Sequence, residues 1–117
     1  MLDNLSKQIM LEAWGAQAVR AALYDDVGIE LALTGYARQT IGWTWDNVNV
    51  ILNANLVMGE DYIARFVINP DPTVTVSTVK YLTDTGSILA THELGNDAET
   101  YNNPGNFDIL SASHELV

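Results

Sequence analysis

Two histidines and fifteen carboxylates are the side chains whose types could support acid–base or metal chemistry, because the sequence contains no cysteine. His92 and His114 each precede a glutamate, but neither has a second imidazole at the spacing that a metal ion needs. No Gly-x-Ser-x-Gly or His-Glu-x-x-His motif occurs, and the glycines are scattered singly rather than grouped in a phosphate-binding loop. We therefore expect no catalytic residue, no cofactor and no metal ligand, and we predict that the protein is not an enzyme.

Acidic turns are the places where oxygen ligands come closest together in the sequence. Asp25-Asp26, and Asp46 with Asn47, carry the carboxylate and amide oxygens that Ca²⁺ prefers. Their spacing matches no EF-hand loop, and Asp and Asn in turns also hydrogen-bond to nearby backbone for conformational reasons. We expect these residues to stabilise turns rather than to bind Ca²⁺. The sequence gives no usable evidence for a carboxylate pair of the kind that hydrolyses glycosides, because in a chain with fifteen acidic residues some pair will match by chance.

Trp43 and Trp45 occupy alternate positions of one predicted strand and therefore share one of its faces. If exposed, they would form a platform on which sugar rings stack. If buried, they would join Ile41 in the apolar stripe of the strand. The strand period favours the buried interpretation, and a carbohydrate-binding adhesion module stays an alternative function.

Net charge is the most skewed property of the chain. Five Lys and Arg stand against fifteen Asp and Glu, for a net charge of −10. Nucleic-acid affinity rests mainly on cations that neutralise phosphates, and anionic membranes attract the same residues. We therefore expect no direct binding of nucleic acid and no membrane association. No apolar run reaches the ~20 residues of a membrane span, and no signal peptide is visible.

A short helix is predicted over residues 4–14. Its apolar residues recur at helical spacing and are expected to build one stripe, formed by Leu5, Ile9, Met10, Ala13 and Trp14. Asp3 or Asn4 can cap the first turn, and Gly15 is expected to end the helix. Three turns are marginal alone in water, so the stripe must pack on this protein's own sheet or on another subunit.

Short extended segments separated by turn residues follow the helix. The predicted strands lie between about residues 18 and 112, at 18–24, 29–33, 36–45, 48–52, 62–68, 73–82, 87–94 and from Phe107 through Ile109. Residues 95–106 are expected to form a polar loop. Strands at spacings of roughly 8–12 residues predict a mainly β fold, an antiparallel sandwich or jelly-roll-like domain with one short N-terminal helix. We expect residues 1–117 to form a single domain.

Four segments of the chain follow one another in a characteristic order. They are residues 19–24 (VRAALY), 35–39 (GYARQ), 79–94 (VKYLTDTGSILATHEL) and 103–109 (NPGNFDI). This order resembles a family of short proteins encoded by tailed bacteriophages, which are usually described as tail-fibre or virion structural proteins. The resemblance implies a compact β-sandwich that is built into a particle by repetition and has no active site.

Together these features predict a non-enzymatic structural subunit of a tailed-phage virion, specifically a capsid decoration or cement protein that stabilises the head. The expected partners are the major capsid protein or other virion subunits, and a homo-oligomer is expected. Assembly would occur in the host cytoplasm, and the final location would be the virion. The candidate interface residues are Leu5, Ile9, Trp14 and Arg38. A tail, baseplate or head–tail adaptor component is the first alternative, and the carbohydrate-binding module is the second.

Overall fold

The computed structural model describes residues 3–116, which form one α-helix, eleven short β-strands and one turn of 3-10 helix. Strand accounts for 39% and helix for 15%, so the predicted mainly β class is confirmed. The elements in chain order are α1 (Asn4–Gln17), β1 (Arg20–Tyr24), β2 (Gln39–Thr40), β3 (Trp43–Asp46), β4 (Ile51–Ala54), β5 (Ala64–Ile68), β6 (Val74–Val76), β7 (Thr78–Leu82), β8 (Ile88–Glu93), the 3-10 turn (Gly95–Asp97), β9 (Glu99–Tyr101), β10 (Gly105–Ile109) and β11 (Ser113–His114).

The paired strands within residues 3–116 are all antiparallel, as predicted. The largest sheet contains four strands in the order β2-β1-β7-β8, and a second sheet contains three in the order β11-β4-β3. Two further pairs are β5 with β10 and β6 with β9. Strands β2 and β8 are therefore the two edges of the largest sheet.

The main core joins the four-stranded sheet to the β5–β10 pair. Strand β5 alternates strictly, with Ala64, Phe66 and Ile68 buried and Arg65 and Val67 exposed. The buried side of β5 belongs to one cluster with residues of β1, β7 and β10, namely Ala21, Leu23, Val79, Tyr81, Phe107 and Ile109. Two sheet faces that share one core are the arrangement of a sandwich. The finer jelly-roll connectivity stays a prediction.

Helix α1 begins where the sequence predicts and ends later. Asp3 caps it, because its Oδ1 accepts a hydrogen bond from the Ser6 amide at 2.8 Å. The predicted end at Gly15 is wrong, since the helix continues to Gln17. Gly15 instead permits close packing on the sheet, because a Cβ at this position would lie 3.0 Å from the Leu52 Cδ1 atom.

Two of the long predicted strands are divided between sheets. The sequence predicts one strand over residues 73–82, but β6 and β7 belong to different sheets. The chain changes partners at Ser77, whose amide donates to the Tyr24 carbonyl and whose carbonyl accepts from the Leu94 amide. The strand predicted over residues 36–45 is likewise divided into β2 and β3, which also lie in different sheets.

Two shorter predictions are wrong or displaced. The strand predicted over residues 29–33 is reduced to a single isolated bridge between Tyr24 and Glu30. The strand predicted over residues 48–52 begins only at Ile51, because the residues before it form a turn. The other predicted strands agree with β1, β5, β8 and β10 to within two residues at each end.

Two short strands are absent from the sequence-based prediction. Strand β9 lies inside the loop predicted over residues 95–106, and β11 follows the last predicted strand. Each pairs with a strand far away in sequence, β9 with β6 and β11 with β4. Such short strands are defined by their partners rather than by their own alternation, so no local pattern reveals them.

Candidate functional site

Helix α1 packs on the three-stranded sheet through one face. Leu11 is its fully buried residue, and Gly15 lies against the Trp43 side chain. The antiparallel register places Trp45 opposite Leu52, and both share a sheet face with Trp43. The sequence pattern that makes β3 apolar on one side therefore provides the surface on which the helix lies.

Aromatic rings connect the two ends of the chain at this contact. Trp14 stacks on His114, with ring centroids 3.7 Å apart and planes 11° apart, and meets Trp43 edge-on at 5.1 Å. Trp43 in turn contacts Tyr81 edge-on at 5.4 Å, and its Nε1 donates to the Ala18 carbonyl at 2.8 Å. Trp14, a predicted interface residue, is therefore half-buried in an internal cluster.

The two tryptophans of β3 do not form a bare platform. Both are half-buried, and Trp43 packs between two other aromatic rings and has its ring nitrogen satisfied. The Trp45 Nε1 atom is buried with no hydrogen-bond partner within residues 3–116. For Trp43, the structure agrees with the buried interpretation of the stripe.

His114 is half-buried beneath the Trp14 ring. It lies in β11 opposite Leu52. Burial lowers the pKa of His114 below its usual 6.5, and the Glu115 carboxylate acts weakly in the opposite direction. No pattern in the sequence predicts its contact with Trp14, because the two residues lie at opposite ends of the chain.

The stripe predicted along α1 is mostly not the face that packs on the sheet: Trp14 is half-buried, but the other four predicted residues, Leu5, Ile9, Met10 and Ala13, are exposed. At roughly 100° per residue, Ile9 lies about 40° from Leu5 around the helix, whereas Leu11 lies about 120° from Leu5 in the other direction and about 160° from Ile9. Leu11 is buried, but Leu5 and Ile9 are 65% and 62% exposed. We call Leu5 and Ile9 the exposed helix pair. Both are predicted interface residues, and neither packs on the protein's own sheet, so their contact with another subunit stays a prediction.

Arg38, the fourth predicted interface residue, forms an ion pair with another residue of the same chain. Its Nε and Nη2 atoms donate to the two carboxylate oxygens of Glu30 at 3.0 and 2.8 Å. Glu30 also accepts from the Tyr36 hydroxyl at 2.7 Å, and that hydroxyl accepts from the Leu23 amide at 3.0 Å. The hydrogen bond from Arg38 lowers the pKa of Glu30, and burial raises the pKa of Tyr36. This network holds the loop after β1 against that strand.

The acidic turns have structural roles. The Oδ1 atoms of Asp25 and Asp46 each accept two backbone amides at 2.9 to 3.0 Å. The amide of Asn49 is the main reason that the pKa of Asp46 lies below its usual value. Within residues 3–116, no three His, Asp or Glu side chains are grouped as a metal site requires.

This chain matches no protein-family model, no curated protein and no solved structure. No helix in the described part of the chain has the length and apolar character needed to cross a membrane. What the protein binds must therefore be inferred from its own surface.

Proposed function

We propose that this protein is a non-enzymatic structural subunit of a tailed-phage virion, specifically a decoration or cement protein on the capsid. The segment order described above supports the phage assignment. The exposed helix pair is the observation that carries the assembly role. Leu5 and Ile9 remain 65% and 62% exposed on a helix whose opposite face is already buried against the sheet.

The exposed helix pair forms a patch rather than two isolated apolar residues. Positions i and i+4 lie next to each other on a helix surface, and Met10, 49% exposed, extends the patch. Single exposed apolar residues are ordinary, but grouped ones mark interaction sites. Helices that dock into grooves use anchors at this spacing.

The charge of the protein suits a subunit that binds a different surface. A net charge of −10 keeps free copies apart in solution. Covering the exposed helix pair on a capsid would contribute about 1–2 kcal/mol per side chain, since each is already partly covered.

The location is tested by immunogold electron microscopy of intact particles, with an antibody against this chain. Gold distributed over the head is the expected result. Gold confined to the tail would contradict a capsid role and assign the protein to the tail or the head–tail connection. Particles without any label would refute the virion assignment.

The contact surface is tested by adding purified protein to particles that lack it and measuring bound protein after sedimentation. The double variant Leu5→Ser with Ile9→Ser should bind at least about tenfold more weakly. Val48→Ser is the matched control, because Val48 is 89% exposed in the turn between β3 and β4. Unchanged binding of the double variant would show that another surface makes the contact.

A further inference from the structure

A cleft of about 750 Å³ opens between β8 and the segment that runs from β10 to β11. Strand β8 borders it through Ala90, Thr91 and His92, and β10 borders it through Phe107 and Ile109. Its volume lies within the range of ligand-binding clefts. The cleft is separate from the exposed helix pair, since neither residue of that pair lines it.

The strands that border the cleft each have a free edge. Within residues 3–116, β8 pairs with β7 alone, β10 with β5 alone and β11 with β4 alone. The free edge of a strand presents N–H and C=O groups that can pair with another chain. Many proteins bind extended peptides by adding them as a strand to such an edge. The borders of this cleft therefore suit an extended segment.

The floor of the cleft is the sandwich core itself. Val79, Tyr81, Phe107 and Ile109 line the cleft and are only 2 to 8% exposed. A side chain inserted between β8 and β10 would contact these core residues directly. Side chains of an extended segment alternate between its two faces, so every second residue of the occupant must be apolar.

The rim of the cleft is negatively charged. Asp97 and Glu99 line it and are exposed. Asp108 also lines it, but Arg65 neutralises this carboxylate through two hydrogen bonds of 2.8 Å. Among the described residues that line the cleft, none is Lys or Arg. Within residues 3–116, neither Asp97 nor Glu99 forms an ion pair, although Glu99 accepts a hydrogen bond from the Tyr101 hydroxyl at 2.7 Å.

We propose that this cleft binds an extended segment of a partner protein in which apolar residues alternate with Lys or Arg. The apolar side chains fill the floor, and the cations pair with Asp97 and Glu99. The backbone of the segment adds to the free edge of β8. At about 3.3 Å per residue, roughly five residues of extended chain span the part of β8 and the following turn that borders the cleft.

A second copy of this chain is a poor occupant. Each copy carries a net charge of −10 and contains only five Lys and Arg. Like charges brought together at a binding surface oppose association. The inference deepens the proposed function, on which it rests for the presence of a partner in the particle. The binding chemistry can nevertheless be measured without a virion.

The test uses a synthetic peptide of about seven residues in which lysine alternates with valine, long enough to exceed the cleft. Trp14 and Trp43 line the cleft, so binding is followed by the change in tryptophan fluorescence. A matched peptide carries glutamate in place of each lysine. We expect the lysine peptide to bind at least about tenfold more tightly than the glutamate peptide.

Two protein variants locate the binding. Thr91→Lys places a cation on the free edge of β8 and should lower the affinity for the lysine peptide by about tenfold or more. Thr40→Lys is the matched control, because Thr40 is exposed on β2, the opposite edge of the same sheet. The double variant Asp97→Asn with Glu99→Gln should weaken binding about fivefold, as expected for two exposed ion pairs. Circular dichroism checks that each variant is folded.

Three results of the peptide-binding experiment would overturn the proposal. The first is no binding of the lysine peptide at millimolar concentration, and the second is equal affinity for the lysine and glutamate peptides. The third is an equal loss of affinity in the variants Thr91→Lys and Thr40→Lys. Dimerisation of the wild-type chain that Thr91→Lys abolishes would assign the cleft to a second copy and would also overturn it. Gold label on the head without peptide binding would refute this inference alone. Peptide binding by a protein absent from particles would refute only the virion role.

Discussion

Replacing Leu11 by alanine tests how helix α1 is held on the sheet. Leu11 is 0% exposed and is the buried residue of a 14-residue helix. The change removes buried carbon atoms and leaves a cavity. The transfer loss is about 2 kcal/mol, and the cavity brings the total cost to about 3 kcal/mol. Alanine has a higher helix propensity than leucine by only about a few tenths of a kcal/mol, so the loss of packing dominates.

Urea unfolding followed by circular dichroism measures this cost. We expect a lower midpoint with an unchanged slope, because the substitution changes little of the surface exposed on unfolding. For a chain of 117 residues, about 3 kcal/mol corresponds to a fall in Tm of about 10 °C. A loss below about 1 kcal/mol would refute the view that Leu11 anchors the helix.

Ile9→Ala is the matched control for this experiment. Ile9 lies two residues earlier in the same helix and is 62% exposed. The free energy of unfolding should change by less than about 0.5 kcal/mol. A cost as large as that of Leu11→Ala would show that the two faces of α1 are exchanged relative to the structure.

Four further substitutions probe other parts of the molecule. Tyr36→Phe should lower the free energy of unfolding by about 1–3 kcal/mol in urea, because it leaves the amide of buried Leu23 without its acceptor; an unchanged midpoint would contradict this. Burial lowers the pKa of His114, so the unfolded chain takes up a proton first and stability falls as the pH drops through 6.5. His114→Phe keeps a stacked ring and should reduce the dependence of stability on pH. An equal pH dependence in the wild type and the variant would refute its assignment to His114. Gly15→Val should lower Tm, because overpacking costs about 1–3 kcal/mol; an unchanged Tm would mean that the helix can shift. Val50 has a φ of 57°, so Val50→Asn should stabilise the protein by about 1 kcal/mol in urea, and a loss of stability would contradict the strain.

Features that depend on a few neighbouring residues could be predicted from the sequence. The Asp3 cap is one, because a cap needs only the amide three residues on. The alternation of β5 is another, since side chains of a strand alternate regardless of its partner. The turn roles of Asp25 and Asp46 also follow from local hydrogen bonding.

Features that depend on distant segments could not be predicted in this way. Ser77 ends one strand and begins another because it meets both Tyr24 and Leu94. Arg38 is tied to Glu30 by a loop whose path the sequence does not specify. The free edges that border the cleft exist only because β8, β10 and β11 each acquire one partner within residues 3–116.

The sequence by itself determined the mainly β class, the N-terminal helix, the acidic charge and the absence of any recognisable catalytic motif. Only the tertiary structure decided which face of α1 is buried, since Leu11 and Ile9 are equally suited to a core and differ only in what lies beside them. It also brought Trp14 onto His114 and opened the cleft beside β8. The physical reason is range: helix caps, turns and strand alternation act between neighbouring residues, whereas burial is set by whichever segments of the folded chain come together.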